Sequence, residues 1–294
     1  MTVAERRNNM LRSESGMALV LTLMIVVLIV ALVTEFSYDV FTTTSALNNW
    51  KESQRLSLVA KSGVPWAVNI VSRAPRQLVM KYLGKEIPVE NILEDFDGTV
   101  TVKVEDENSR LNLNSLKNPN ALKVFKKLLS NPNLNINEEV ADRILHWLDK
   151  NSGLKFGGPD DNTKNAPFDS VDELLLIKGI TNETYEKLLQ YVTVYGRSDD
   201  LSININTAPI PVIMSLNITL PDAEAIAKER EIKPFESVAD FTGKFPAAGT
   251  PVQQNLAVDP SFYRIRITAE ENRIKRVIEC VVTTSGTILY WKEI

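Results

Sequence analysis

Residues 13–33 read Ser13-Glu-Ser-Gly-Met17-Ala-Leu-Val-Leu-Thr-Leu-Met-Ile-Val-Val-Leu-Ile-Val-Ala-Leu-Val33. Of the 17 residues from 17 to 33 only Thr22 is not hydrophobic, which is the short end of the roughly 17–25 that carry a helix across the hydrocarbon of a bilayer. Arg6, Arg7 and Arg12 stand before this run, so the positive-inside bias leaves the amino terminus cytoplasmic and everything after about Thr34 on the far side. An ordinary secretory signal would end its apolar core at a small-residue cleavage site. Here Val33 runs instead into Thr34, Glu35, Phe36 and Ser37. The apolar helix is therefore kept, either as a plain signal anchor or as a segment freed by a cut on its amino-terminal side.

Working outward, Phe36, Val40, Leu47 and Trp50 keep helical spacing through a polar stretch, and residues 56–60 renew the apolar content. One long helix is expected, half facing lipid and half soluble, with Pro65 kinking or interrupting it near residues 64–66. Residues 96–114 then alternate apolar and polar with many β-branched side chains, as one long strand or a hairpin around 105–109. Three more strand-like runs, 262–269, 274–284 and 287–291, form a meander with turns at 270–273 and 285–286. Between the two β regions the pattern turns helical, over 121–129, 137–148, 171–177, 184–191, 208–216 and 222–231. The expected fold is α+β: a long amino-terminal helix packed on an antiparallel sheet, with a mostly helical domain inserted between strands. The divisions read from the sequence are a leader at 1–16, a span at 17–33, helix and first strands at 34–114, the helical insert at 115–257 and closing strands at 258–294.

Composition narrows the function. The 294 residues carry 33 Lys and Arg against 37 Asp and Glu, a formal net charge of -4, which leaves no general surplus of cations for nucleic acid. A single cysteine, Cys280, lies in an apolar run and reads as a buried strand thiol; a single histidine, His146, reads as structural. Neither a zinc cluster nor a Ser/His/Asp triad can be assembled from that inventory, and no enzyme constellation emerges. Residues 168–195 and 203–241 have the outline of helix-hairpin-helix or SAM-like units, which in other proteins hold DNA phosphates on a Gly-rich turn with basic residues nearby. The first has two Lys against five Asp and Glu, the second three Lys and Arg against six, so both would repel a duplex. The loop 149–165 packs Asp149, Asp160, Asp161 and Asn165 among glycines, a supply of the oxygen ligands that calcium takes. It lacks EF-hand spacing, and a solvated acidic loop fits the same composition.

The junction Ser13-Glu-Ser-Gly16-Met17-Ala-Leu19 resembles a class III (type IV prepilin) leader, and Met10 offers a second start that would make the leader Met-Leu-Arg-Ser-Glu-Ser-Gly. The order of elements is similar to that of the K-type minor pseudopilins of type II secretion. The matching pieces are Gly98-Thr-Val-Thr-Val, Asp106-Glu-Asn-Ser-Arg-Leu-Asn-Leu-Asn114, Trp147-Leu-Asp149, Pro167-Phe-Asp-Ser-Val-Asp-Glu-Leu174 and Asn204-Ile-Asn-Thr-Ala-Pro209. The resemblance implies cleavage after Gly16 by the prepilin peptidase, methylation of Met17, and calcium in the insert, though the loop here is shorter than the family's. It implies a single-pass inner-membrane protein with a periplasmic domain. The implied partners are the I- and J-type minor pseudopilins, the major pseudopilin and the inner-membrane secretion platform, with no nucleic acid; a minor pilin of a type IV pilus or DNA-binding competence system is the alternative. Most members of the prepilin class carry glutamate as the fifth mature residue, whereas that position here is Leu21.

Overall fold

A computed structural model of the chain describes residues 3–89, 96–149, 152, 163–198 and 201–294, with residues 3–15 given as backbone only. In chain order, α1 (Val3–Arg73), α2 (Arg76–Tyr82), β1 (Glu86–Pro88) and β2 (Thr99–Asp106) lead into β3 (Leu111–Asn112), α3 (Pro119–Leu129) and α4 (Glu139–Leu148). Next come α5 (Asn182–Leu188), β4 (Val192–Thr193), β5 (Ile203–Asn204), α6 (Ile210–Ser215), α7 (Leu220–Ile232), α8 (Val238–Lys244), α9 (Pro246–Gly249) and β6 (Leu256–Ala257). The chain closes with β7 (Phe262–Glu271), β8 (Ile274–Thr283) and β9 (Ile288–Glu293).

The chain divides into two units, 1–58 and 59–294. The first is helical, and Gly16–Arg73 is the one described helix long and apolar enough to cross a membrane. Three of its hydroxyls bond back inside the helix: Thr22 Oγ1 donates to Leu19 O (2.8 Å), Thr34 to Val30 O (2.7 Å) and Ser37 to Val33 O (2.7 Å). A polar group so satisfied loses little when water is withdrawn.

In the second unit the last turns of α1 bury Val59, Ala60, Val64, Ala67 and Val71, one stripe at helical spacing. Gly63 lies on Ile267 of β7; a Cβ there would stand 3.2 Å from two Ile267 carbons, so glycine sets how closely helix and sheet approach. Of the two expected effects of Pro65, a kink or an interruption, the interruption does not occur: α1 runs on through it. The roughly 3 kcal/mol that proline costs a helix interior is offset by the buried Val64 and Ala67 on either side.

The sheet order is β1-β2-β7-β8-β9, antiparallel throughout. Strand β2 alternates buried and open positions, and its Val100, Val102 and Val104 meet Ala269, Ile267 and Ile265 of β7. The helical excursion leaves the sheet at Asp106 and returns at Phe262, wider than the expected 115–257, because the strand read as reaching Asn114 stops in a 3-10 turn at Glu107–Ser109. Its two ends stay adjacent, since Asp106 pairs with Tyr263. The excursion has its own core, around Leu111, Phe125, Leu128, Ile144, Phe235 and Phe241.

That core is built twice on one plan. Strand β3 pairs in parallel with β4, and β5 with β6. Asn114 takes the Phe168 N–H (2.7 Å) and donates to the carbonyls of Phe168 (3.0 Å) and Val194 (2.8 Å). Asn206 takes the Phe235 N–H (2.8 Å) and donates to Phe235 O (3.0 Å) and Val258 O (2.9 Å). Each phenylalanine precedes a serine N-cap: Pro167-Phe-Asp-Ser170 opens the 3-10 turn Val171–Leu176, and Pro234-Phe-Glu-Ser237 opens α8. The halves differ at one place. In the second only Lys233 separates α7 from Pro234, whereas in the first residues 149–166 intervene between α4 and Pro167.

Candidate functional site

Three groups of residues bear on function: the junction on α1, the acidic loop, and the joint where the excursion meets the sheet. Gly16, Met17 and Leu21 all lie within α1, and a Cβ at Gly16 would meet nothing within 4 Å. Glycine in a helix interior costs about 1 kcal/mol relative to alanine. Among the described residues neither packing nor a positive φ requires it here. The side chains of Met17 and Leu21 are open, 68% and 60% exposed.

Of the four candidate calcium ligands, Asp160 and Asp161 lie outside the described residues. Asp149 caps the end of α4, one third exposed, with Lys117 Nζ at 3.8 Å. Asn165 takes a left-handed backbone (φ 50°), and its N–H bonds the Trp147 carbonyl at 2.9 Å. That bond ties the loop's return to the end of α4, two residues from Asp149. Among the described residues no three His, Cys, Asp or Glu gather where they could hold a metal. His146 is buried, with Ser152 Oγ 3.5 Å from Nδ1. Cys280 is buried in β8, and burial pushes its thiol up to about 12, which leaves it unreactive.

The joint was not singled out from the sequence. Asp106, the last residue of β2, is buried and accepts three bonds: from the Asn108 N–H (2.8 Å), Asn204 Nδ2 (2.7 Å) and Thr207 Oγ1 (2.5 Å). Burial pushes its carboxyl up to about 6 even with those donors in place, and neighbouring Glu107 adds repulsion. Glu107 is wholly buried and bonds Arg264 Nε (2.5 Å), Arg110 Nη1 (3.0 Å) and the Thr193 hydroxyl. Arg264 also reaches Glu279 (2.5 Å), which Arg266 meets from the other side (2.6 Å). Burial opposes ionisation of Glu279, but the two guanidiniums prevail and hold its carboxyl below the usual range. A second tether joins Asp172 to Tyr185 Oη (2.6 Å) and Lys292 Nζ (3.1 Å). A third runs from Arg76 of α2 to Asp259 and to the carbonyls of Phe235 (2.9 Å) and Val258 (3.3 Å). Excursion and sheet are thus held by charge and hydrogen bonds between separate apolar cores. The buried polar residues of Asp106-Glu-Asn and Asn204-Ile-Asn-Thr207 were the available signal, since polar groups enter an interior only where partners wait.

The hairpin turn at Gly179 (φ 93°) is overlaid by Arg143, whose guanidinium atoms would stand 3.1–3.2 Å from a Cβ there. That guanidinium bonds Lys178 O (3.0 Å) and Glu139 (2.6 Å), so a cation beside the turn is already engaged.

Comparison with known proteins is consistent along the chain. The two family models for type II secretion system protein K match residues 109–197 and 203–259. Type II secretion system protein K of Pseudomonas aeruginosa is 30% identical over 193 residues, covering 58% of this chain and 56% of that one. The Aeromonas hydrophila protein of that name is 27% identical over 320 aligned residues, covering 92% and 93%. Among solved structures, a chain of the GspK-GspI-GspJ complex of the enterotoxigenic Escherichia coli Type 2 Secretion System has the same fold, with a TM-score of 0.63 at 17% identity, covering 85% of this chain and 98% of that one.

Proposed function

This chain belongs to the type II secretion system protein K family, and from that premise we propose that it is the minor pseudopilin at the tip of a short inner-membrane pseudopilus. Its amino-terminal helix anchors it with the leader in the cytoplasm and the domain in the periplasm. There it joins I- and J-type minor pseudopilins, the proteins present with GspK in the solved complex, and starts a fibre of major subunits that moves folded proteins outward. The observation that carries the tip position is Leu21, an open apolar side chain at the fifth residue after Gly16. A carboxylate in hydrocarbon costs about 2.5 kcal/mol or more on insertion scales and is kept where a partner charge meets it. A subunit with none ahead of it has no such partner, so leucine is the less costly residue. About one copy per fibre is expected, and Leu21→Glu should still support secretion. Quantitative mass spectrometry of sheared fibres tests this; copy numbers near those of the major subunit would remove the tip assignment.

Calcium held by Asp149, Asp160, Asp161 and Asn165 is part of the same proposal. Hard oxygen donors suit that ion, and residues 149–166 have no counterpart in the second half of the excursion, so the fold itself does not need them. Bound calcium would neutralise the clustered carboxylates and fix the loop. At a hundredfold excess over its Kd it should stabilise the protein by about 2.7 kcal/mol. The melting temperature should rise with calcium, and Asp149→Ala or Asp160→Ala should abolish the rise. An unchanged melting temperature in millimolar calcium would leave a solvated loop.

A further inference from the structure

A cleft of about 1080 Å³ opens between α2, with the turn that follows it, and the end of α7. Arg76, Lys81 and Lys85 line it from one side and Arg230 and Lys233 from the other, against two carboxylates among the described residues, Glu231 and Glu236. In a chain whose formal net charge is -4 this is a local reversal of sign.

The two walls are fixed to the rest of the domain. Arg76 reaches across to Asp259 and to the carbonyls of Phe235 (2.9 Å) and Val258 (3.3 Å). Gly84 N–H bonds Val104 O (2.7 Å), which pins the turn that carries Lys85. On the other wall Arg230 is half-buried, and its Nη1 donates to Ile205 O (2.7 Å) and Ala208 O (2.8 Å). Both acceptors are neutral. Burial draws the guanidinium below its ordinary value, and neighbouring Glu231 offsets only part of that. A cation drawn out of water without a counter-charge is the costly arrangement, and an anion in the cleft would relieve it.

Among the described residues neither Lys81 nor Lys85 forms an ion pair; the Lys81 ammonium lies over the Tyr82 ring, 5.6 Å from its centre. Lys233 pairs with Glu236 (2.9 Å), but both are open to water and such a pair is readily exchanged. The lining is also apolar in part. Met80, Leu83 and Pro234 are half-buried there, while Ile232 is 82% exposed.

The occupant that fits brings several carboxylates together with an apolar side chain. A small anion would satisfy the cations and leave Ile232 in water. A bilayer presents a flat surface, which does not enter a cleft to cover half-buried Met80 and Leu83. We infer that this cleft binds an acidic segment of a partner protein, whose carboxylates pair with Lys81, Lys85 and Arg230 and whose apolar side chain packs on Ile232 and Met80. None of this depends on where the chain sits in a fibre.

The test titrates the full chain, in non-ionic detergent at about 0.15 M salt, with a fluorescein-labelled Glu-Asp-Leu-Leu-Glu-Asp peptide and its uncharged Gln-Asn-Leu-Leu-Gln-Asn counterpart. Fluorescence anisotropy should show the acidic peptide binding at least about tenfold more tightly, the combined effect of two or three ion pairs. Joint replacement Lys81→Gln and Lys85→Gln should weaken it about tenfold; both side chains are exposed and take no part in the bonds that fix the walls, so the fold is kept. Ile232→Asn should weaken it by about as much. Equal affinity for the two peptides, an acidic peptide that does not saturate by about 1 mM, or full affinity in the lysine variant would overturn the inference. Full affinity in Ile232→Asn would leave a bare anion site and overturn the peptide assignment. Retention on phosphatidylglycerol vesicles through Lys81 and Lys85, with no peptide bound, would make the occupant a membrane. Self-association that the lysine variant abolishes would make it a second copy, and either result overturns the inference.

Discussion

Gly16→Val is expected to leave the leader on the chain and stop secretion. The substitution is safe for the fold, because a side chain at position 16 meets nothing within 4 Å and valine is tolerated in a helix. What it removes is the small residue at the proposed cleavage site of the prepilin peptidase. On the proposed function the leader would then remain attached to the apolar helix, and its Arg6, Arg7 and Arg12 would hold that end at the membrane surface and oppose its extraction into a fibre. Intact mass of the membrane-extracted protein provides the measurement. The natural chain should begin at Met17 with one added methyl group, and the variant should retain the leader unmethylated. A natural chain that keeps its leader would refute the assignment and favour a plain signal anchor.

The largest stability effect is expected at Arg264, the bridge between Glu107 and Glu279. Arg264→Met keeps much of the aliphatic volume but takes one guanidinium from two carboxylates that are 0% and 6% exposed. Breaking a buried pair from one side typically costs about 3–5 kcal/mol, since the remaining charge is left dehydrated. Arg110 still faces Glu107 and Arg266 still faces Glu279, so the expected loss is near the lower bound, about 3 kcal/mol. Chemical denaturation of the full chain in detergent reads it, and adding Glu107→Gln should recover part of the loss. A loss below about 1 kcal/mol, the level of an exposed ion pair, would show that the triad contributes little to holding the excursion on the sheet.

Much of this architecture was legible because its signals are local. The apolar run 17–33 is a property of consecutive residues, and so is the alternation in β2, β7 and β8. Helices α3 and α4 show their apolar faces at regular spacing and were located to within two residues. Other elements gave weaker signals. Helices α2, α8 and α9 are only four to seven residues long, too short for a period to emerge. Residues 171–176 carry a helical pattern yet form a 3-10 turn, held by the Ser170 and Glu173 capping box. Proline was read from its intrinsic cost, whereas Pro65 sits in a helix that packing sustains.

The sequence by itself determined an apolar run long enough to cross a membrane, the α+β order of the chain and the family, since each rests on composition, periodicity or residues in a row. Only the tertiary structure decided how the excursion is held and which strands lie at the edges of the sheet. Asp106 meets Asn204 and Thr207 about a hundred residues along the chain, and Glu107 meets Arg264 across an even longer gap. Asp, Asn and Thr in a row look like turn residues until distant partners make them buried ones. Likewise the pairing order places β9 and β1 at the two edges. That order does not exist until the strands have met.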